Sequence, residues 1–227
     1  MVNKIAVIVA GGSGQRMGVT TPKQFLRLHG KPLLYYTLQA FLQAFNDLII
    51  VLVLPEEHMQ TGQAIAAELI GNERIKFTVG GLSRFQSVQN GLKLASEDAV
   101  IFVHDGVRCL ITPQLIRSCF EQALLKGSAI PAVAATDSIR IIDGDKNHVA
   151  DRNNVRLIQT PQTFKGNILL PAFQQGYKES FTDEATVVEA TGTPVFLIEG
   201  DYQNIKVTRP IDLLIAEKIL EERKSSL

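Results

Sequence analysis

The chain has 227 residues, and its 23 basic residues balance its 23 acidic residues. This neutrality argues against a broad nucleic-acid or anionic-membrane surface, so a basic binding site has to be local. The length fits one domain, 45% of the residues are hydrophobic, and no apolar stretch approaches the roughly 20 residues of a membrane span. Two cysteines, Cys109 and Cys119, fit neither a disulfide framework nor a zinc site. We therefore expect a cytoplasmic globular protein.

A glycine-dense loop follows the first predicted strand, Ile5–Val9, and reads Ala10-Gly11-Gly12-Ser13-Gly14-Gln15-Arg16. Glycine permits positive φ, and successive backbone N–H groups in such a turn form an anion-binding nest. Arg16 and Lys23 would add positive charge for a polyphosphate. The Walker pattern is absent, and Met17 stands where the dinucleotide fingerprint needs its third glycine. The loop therefore predicts a nucleoside triphosphate site, with a plain tight turn as the alternative.

Short apolar runs alternate with helical patterns along the rest of the chain. Predicted strands are Leu48–Leu54, Ile75–Val79, Val100–Val103, Ala129–Val133 and Val195–Ile198, and predicted helices are Leu34–Phe45, His58–Ile70, Phe85–Ala95, Pro113–Lys126, Gly166–Tyr177, Thr182–Thr191 and Pro210–Arg223. This order predicts an α/β fold, a single Rossmann-like three-layer domain over residues 1–227 with a mostly parallel central sheet. Ligands bind beyond the carboxyl ends of such strands, so loops 10–18, 80–87 and 104–108 should meet at one edge.

The segment 136–159 breaks this alternation. Ile139–Ile142 followed by Asp143-Gly144 is a strong hairpin signal. The segment has too few apolar residues for a core of its own, and an isolated hairpin is marginal in water. We therefore predict a protruding β-hairpin arm at about 136–159, packed on the body or on a second subunit, and favour a role in dimerisation.

His104 and Asp105 follow the strand Val100–Val103. A carboxylate at a strand end, beside a phosphate loop, is where Mg²⁺ would be held by one or two carboxylates and phosphate oxygens. The alternative for Asp105 is a structural cap of the next turn. For His104 we favour a core histidine bonded to backbone, because no second histidine lies at ligand spacing.

Two further segments carry candidate ligand contacts. The turn at Gly80–Gly81 opens a helix, and its backbone together with the Ser87 hydroxyl is suited to reading a base edge, while Ser83 also suits an ordinary N-cap. Lys206 lies between two β-branched residues just before the last helix. In a partly buried segment its ammonium group is expected to point at a ligand.

Taken in order, these blocks resemble the 2-C-methyl-D-erythritol 4-phosphate cytidylyltransferase family (IspD), within the nucleotide-diphospho-sugar transferase superfamily. The resemblance covers nearly the whole chain. It is carried by the glycine loop and by Pro22-Lys23-Gln24-Phe25, His104-Asp105, Asp151-Arg152, Thr160-Pro161-Gln162, Asp183-Glu184-Ala185 and Asn204-Ile205-Lys206-Val207-Thr208-Arg209-Pro210.

The resemblance implies an enzyme that transfers CMP from CTP to 2-C-methyl-D-erythritol 4-phosphate, releasing pyrophosphate, in non-mevalonate isoprenoid biosynthesis. It implies catalytic roles for Arg16, Lys23, Asp105 and Lys206, with Mg²⁺ beside Asp105. It implies nucleotide contacts from Ala10, Gly11, Gly12, Ser13, Gly14, Gly81 and Ser87. The acceptor would be held by Arg108 and Thr160, together with Ser138 and Arg152 of the partner subunit in a homodimer.

Three positions depart from the family pattern. Leu82 stands where many relatives carry an acidic or polar residue, Cys109 where proline is usual, and Ser138 where threonine is common. None of these removes a catalytic charge. The alternatives are a cytidylyltransferase acting on ribitol 5-phosphate, a sugar-1-phosphate nucleotidyltransferase with another base preference, and a catalytically silent nucleotide-binding module.

Overall fold

The computed structural model describes residues 2–12 and 21–225. Its strands are β1 Lys4–Val9, β2 Arg27–Leu28, β3 Lys31–Pro32, β4 Leu48–Leu54, β5 Ile75–Val79, β6 Val100–Asp105, β7 Ser128–Ala134, β8 Ile139–Asp143, β9 Lys146–Ala150, β10 Arg156–Ile158, β11 Gln162–Lys165 and β12 Leu197–Glu199. Its helices are α1 Leu33–Ala44, α2 Met59–Ala67, α3 Arg84–Leu92, α4 Pro113–Lys126, α5 Gly166–Ala172, α6 Glu184–Glu189 and α7 Pro210–Ser225.

The main sheet has the strand order β10-β7-β11-β6-β1-β4-β5, and β12 pairs with β7. Strands β6, β1, β4 and β5 are parallel, whereas β10 and β11 run antiparallel to their neighbours. The register aligns Val9 of β1 with Val53 of β4 and with Asp105 of β6. The carboxyl ends of the parallel strands therefore finish together, at the edge where sheets of this kind bind ligands.

Helices cover both faces of the sheet. Ala6 and Ile8 of β1 pack with α1, α2 and α4 on one face, while Ile5 and Val7 pack with α3, α5 and α6 on the other. A strand buried on both sides has to be apolar at successive positions, which explains the continuous apolar runs in the sequence. The predicted three-layer α/β architecture with a mostly parallel sheet is confirmed.

The predicted strands and helices are all present, but several helices end earlier than predicted. Helix α4 has the predicted bounds, and the Thr112 hydroxyl caps it by accepting from the Leu115 N–H at 3.2 Å. Four helices end in a turn in which backbone N–H groups donate to the carbonyl oxygen three residues earlier, as Gln175 does to Ala172 after α5. These helices are α2, α3, α5 and α6. Helix α5 also contains Pro171, which has no N–H to donate within the helix.

The short strands β2, β3 and β11 were not predicted, whereas β10 lies within the predicted arm of 136–159. Strand β11 lies between β6 and β7 and runs antiparallel to both. Each of these strands has two to four residues, which is too few to show a periodic pattern. None of the helices in residues 2–12 and 21–225 is long and apolar enough to cross a membrane.

Strands β8 and β9 form the predicted hairpin, with Ile139 opposite Ala150 and Asp143 opposite Lys146. Gly144 in its turn has φ +58, a conformation that glycine adopts without strain. The chain rejoins the main sheet at Arg156. The hairpin therefore contains fewer residues than the predicted arm of 136–159. Ile141, Ile142 and Val149 are exposed on it.

Candidate active site

A cleft of about 670 Å³ opens at the carboxyl edge of the parallel strands. Loops after β1, β4, β5 and β6 line it, together with the segment before α7. The predicted site residues in its lining are Ala10, Gly11, Gly12, Lys23, Gly81, Ser87, Asp105 and Lys206. Ser13, Gly14 and Arg16 lie outside the described residues. The prediction that the three loops meet at one edge is confirmed for the parts that the structure describes.

One wall of the cleft is a turn fixed by its own hydrogen bonds. The Gly81 N–H donates to Ser87 Oγ at 3.0 Å, and the Leu82 N–H donates to Gln86 Oε1 at 2.9 Å. Ser83 caps α3 by accepting from the Gln86 N–H at 3.2 Å, so the N-cap interpretation of Ser83 is confirmed. A Cβ at Gly81 would lie 2.3 Å from the Gln86 Cβ, so this approach requires glycine. The wall is therefore held by hydrogen bonds within the protein.

Asp105 lies opposite this wall, at the end of β6, and cations contact both of its carboxylate oxygens. Arg84 contacts Oδ1 at 3.2–3.3 Å, whereas Lys206 Nζ lies 2.8 Å and Arg108 Nε 3.9 Å from Oδ2. Burial would raise the pKa of this carboxyl group, but Arg84 and Lys206 hold the pKa of Asp105 well below its ordinary value. Asp105 is therefore a permanent anion that organises the cations around it.

The residues behind Asp105 form a closed polar network. His104 is fully buried, and its Nδ1 lies 3.0 Å from Thr160 Oγ1 while its Nε2 lies 3.3 Å from the Arg108 carbonyl oxygen. Thr160 Oγ1 also accepts from the Asp105 N–H at 3.2 Å. These bonds fit a neutral ring protonated on Nε2, and burial lowers the pKa of His104 to about 3. The core-histidine interpretation of His104 is confirmed.

Lys206 is held by the buried residue Asn204. The Asn204 side chain donates from Nδ2 to the Thr160 carbonyl at 2.9 Å, and the backbone carbonyl of Asn204 accepts from Arg108 Nη1 at 2.8 Å. The Val207 N–H donates to the Val107 carbonyl at 3.1 Å. The segment that carries Lys206 is thus fastened on both sides to the elements that carry Asp105.

The four predicted acceptor residues do not line the cleft within the described part of the chain. Arg108 and Thr160 lie behind Asp105, where Thr160 and Arg108 Nη1 make the hydrogen bonds described above, while Arg108 Nε has no hydrogen-bond partner among the described residues. Ser138 and Arg152 flank the hairpin and are exposed, and Arg152 Nη1 donates to the Thr136 carbonyl at 2.8 Å. Contact of these residues with an acceptor stays a prediction.

Binding of Mg²⁺ beside Asp105 stays a prediction. Both oxygens of this carboxylate already contact cations, and the described residues contain no group of three or more histidine, cysteine, aspartate or glutamate side chains that could hold a metal ion. Mg²⁺ commonly reaches such a site on substrate phosphates.

The sequence did not predict a role in the active site for Arg84, Glu184 or Gln24. Arg84 contacts Asp105 and forms a two-point ion pair with the buried Glu184. The available signal for Arg84 was its position directly after the N-cap residue Ser83, in the loop 80–87 that was already predicted to lie at the ligand edge. Gln24 is 1% exposed and lines the cleft, and neither of its amide atoms has a hydrogen-bond partner among residues 2–12 and 21–225. Nothing in the Pro22-Lys23-Gln24 block distinguishes this glutamine from a surface residue.

Comparisons with known proteins agree with this geometry. The family model described as IspD, 2-C-methyl-D-erythritol 4-phosphate cytidylyltransferase, matches residues 4–222. Proteins of that name from Bacteroides fragilis and Porphyromonas gingivalis are 40% and 42% identical, each over 96% of this chain and over 99% and 97% of their own length.

Solved structures give the same result. The 4-diphosphocytidyl-2C-methyl-D-erythritol synthase of Anaerococcus prevotii superposes with a TM-score of 0.83 at 26% identity, covering 97% of this chain and 96% of that one. The 2-C-methyl-D-erythritol 4-phosphate cytidylyltransferase of Thermus thermophilus has a TM-score of 0.75 at 30% identity, covering 97% of this chain and 100% of that one. With a family match over most of its length and relatives at 40% identity, this chain belongs to the 2-C-methyl-D-erythritol 4-phosphate cytidylyltransferase family.

Proposed function

We propose that this chain transfers CMP from CTP to 2-C-methyl-D-erythritol 4-phosphate, giving 4-diphosphocytidyl-2-C-methyl-D-erythritol and pyrophosphate for isoprenoid biosynthesis. The observation that carries the proposal is the cleft at the carboxyl edge of the sheet. This cleft is lined by the glycine-containing ends of two loops and by the side chains of Lys23, Lys206 and Asp105. Family membership supports the reaction and both substrates.

The chemistry needs cations more than it needs a general base. A phosphate monoester is already ionised near neutral pH, so its oxygen can attack the α-phosphate of CTP without losing a proton to the protein. The main barriers are repulsion between two anions and their misorientation. Lys23 and Arg16 are the proposed ligands of the α-phosphate, and Lys206 is the proposed ligand of the other phosphates. Positioned cations of this kind stabilise the charge that builds up in the transition state.

The pyrimidine would be selected by the glycine-lined walls of the cleft. The backbone of Ala10, Gly11 and Gly81 is proposed to bond the edge of the cytosine ring. Because Ser87 Oγ already binds the Gly81 N–H, its part in this selection includes holding that wall in position. Gly12, Ser13 and Gly14 are proposed to wrap the triphosphate. Leu82 is fully exposed at the rim, so it contributes no side-chain hydrogen bond to the base.

The acceptor would be bound between two subunits. Arg108 and Thr160 are proposed to contribute from one subunit, with Ser138 and Arg152 of the partner subunit supplied by the hairpin. The exposed apolar residues on β8 and β9 support a homodimer through this arm. Mg²⁺ is proposed to arrive on the CTP phosphates. The two buried free cysteines fit a reducing compartment, so we place the enzyme in the cytoplasm.

Pyrophosphate release from purified protein tests the proposal, with CTP, Mg²⁺ and either methylerythritol phosphate or ribitol 5-phosphate as acceptor. We expect release with methylerythritol phosphate and none above background with ribitol phosphate. Release only with ribitol phosphate would keep the fold and the cations but move the enzyme to another acceptor. CTP binding measured by calorimetry, without release with either acceptor, would instead identify a nucleotide-binding module.

A further inference from the structure

Arg84 joins three separate segments at the side of the cleft. It is the first residue of α3 and lies between Asp105 at the end of β6 and Glu184 at the start of α6. Its Nη1 and Nη2 donate to the two oxygens of Glu184 at 2.5 and 3.1 Å, and its Nε donates to Asp105 Oδ1 at 3.3 Å. Burial opposes the charge of this guanidinium, but the two carboxylates raise the pKa of Arg84 above its ordinary value.

Glu184 is itself fixed by the strand beside it. Gln162 of β11 accepts from the Ala185 N–H at 2.8 Å through Oε1 and donates from Nε2 to Asp183 Oδ2 at 2.8 Å. This single amide therefore docks the N-terminus of α6 onto the sheet. Glu184 is only 1% exposed, and a buried carboxylate without its cation is costly. Arg84 is consequently held in one place by an anion that cannot turn to solvent.

The cations on Asp105 differ in how easily they can leave it. The side chain of Lys206 is 43% exposed, compared with 31% for Arg84 and 11% for Arg108. Lys206 lines the cleft and has no second carboxylate within ion-pair distance among the described residues. Phosphates entering the cleft would therefore compete with Asp105 for Lys206, whereas Glu184 keeps Arg84 in place.

We propose that Arg84, held by Glu184, is a positioning residue for cytidylyl transfer. It keeps the Asp105 carboxylate in place while Lys206 moves from Asp105 to the phosphates of the nucleotide. The inference rests on the proposed function, because it needs a phosphorylated substrate in the cleft. In the resulting arrangement Asp105 Oδ2 becomes available to the bound substrates, while Oδ1 stays on Arg84.

This role separates catalysis from nucleotide binding. The wall at Gly81–Ser87 has hydrogen bonds of its own that do not involve Arg84. Loss of the Arg84–Glu184 pair should therefore lower kcat while leaving the affinity for CTP nearly unchanged. A residue that only supported the fold would instead change activity in step with the folded fraction.

The test is the double variant Arg84→Met/Glu184→Met, which removes both charges and so leaves no unpaired charge in the interior. Stability is followed by thermal unfolding, CTP affinity by calorimetry without acceptor, and kcat by pyrophosphate release. We expect a folded protein whose kcat falls at least tenfold and whose Kd for CTP changes less than threefold. Glu189→Met is the matched control for the change Glu184→Met, because Glu189 lies at the exposed end of the same helix, and it should leave kcat unchanged.

A folded double variant with kcat within twofold of the unmodified protein would overturn the proposal. So would a loss of CTP affinity as large as the loss of kcat. If the double variant does not fold, Arg84→Lys decides, because it keeps the charge but cannot make the two-point pair. Retained kcat in folded Arg84→Lys would then refute the positioning role. Failure of the proposed function is distinct, since it would appear as no pyrophosphate release by the unmodified protein.

Discussion

The buried histidine behind the cleft should make the stability of this protein depend on pH. Burial lowers the pKa of His104 to about 3 in the folded protein, whereas an unfolded histidine titrates near 6.5. Between these values the unfolded chain binds a proton that the folded chain does not. The free energy of unfolding is therefore unaffected by His104 above about pH 6.5. It decreases as the pH falls from there towards 3, because protonation of His104 favours the unfolded chain.

The size of the effect follows from these two pKa values. At ~1.4 kcal/mol for each pH unit, the full difference corresponds to about 5 kcal/mol, of which about 2 kcal/mol is lost by pH 5. The window from pH 7.5 to 5 isolates His104 from Asp105. The pKa of Asp105 is lowered by Arg84 and Lys206, so its contribution is lost only below about pH 4.

Urea unfolding between pH 7.5 and 5 measures this slope. We expect stability to fall by about 2 kcal/mol in the unmodified protein and much less in His104→Asn, which cannot take up the proton. His148→Asn is the matched control, because His148 lies exposed on the hairpin and should leave the slope unchanged. An NMR titration showing the His104 ring protonated at pH 6 in the folded protein would refute the reasoning. An equal slope in His104→Asn would refute it as well.

Three further changes probe the cleft and the arm. Lys206→Met should lower kcat/KM on the order of 10²-fold, by analogy with the loss of one transition-state donor. Pyrophosphate release measures this, with Lys218→Met at an exposed lysine as the control. Equal rates in Lys206→Met and the unmodified protein would contradict the prediction. Arg152→Ala should raise KM for methylerythritol phosphate at least tenfold and leave KM for CTP nearly unchanged, while equal effects in steady-state kinetics would count against an acceptor role. Deleting residues 143–147 removes the hairpin tip and should weaken a homodimer, as measured by sedimentation; an unchanged dimer would exclude the arm from the interface.

The parallel half of the sheet was predictable because its strands are buried on both faces. Continuous apolar runs such as Leu48–Leu54 leave little alternative to a covered strand, and Thr112-Pro113 marks the start of α4 through local capping chemistry. Strand β11 was not predictable, because its four residues owe their conformation to the two strands beside them rather than to their own pattern.

The same limit applies within the site. Lys206 and Asp105 follow recognisable local signals, a lysine in a partly buried segment and an acid at a strand end. The pairing of Arg84 with Glu184 spans 100 positions in the sequence. From the sequence, Glu184 is fully accounted for by the preference of helix N-termini for negative charge. The docking of α6 on Gln162 and its apolar packing with α3 bring the two residues together.

The carboxylates of this cluster explain how a chain without net charge can prepare a site for two anions. Among the described residues, Arg84, Arg108 and Lys206 contact Asp105, and Arg84 also contacts Glu184. Exposed cations without such partners would repel one another and attract any polyanion. Paired with buried carboxylates, they are oriented before a substrate arrives, and the reaction does not have to order them. Within this cluster, an incoming phosphate needs to displace only the most exposed of these contacts, that of Lys206 with Asp105.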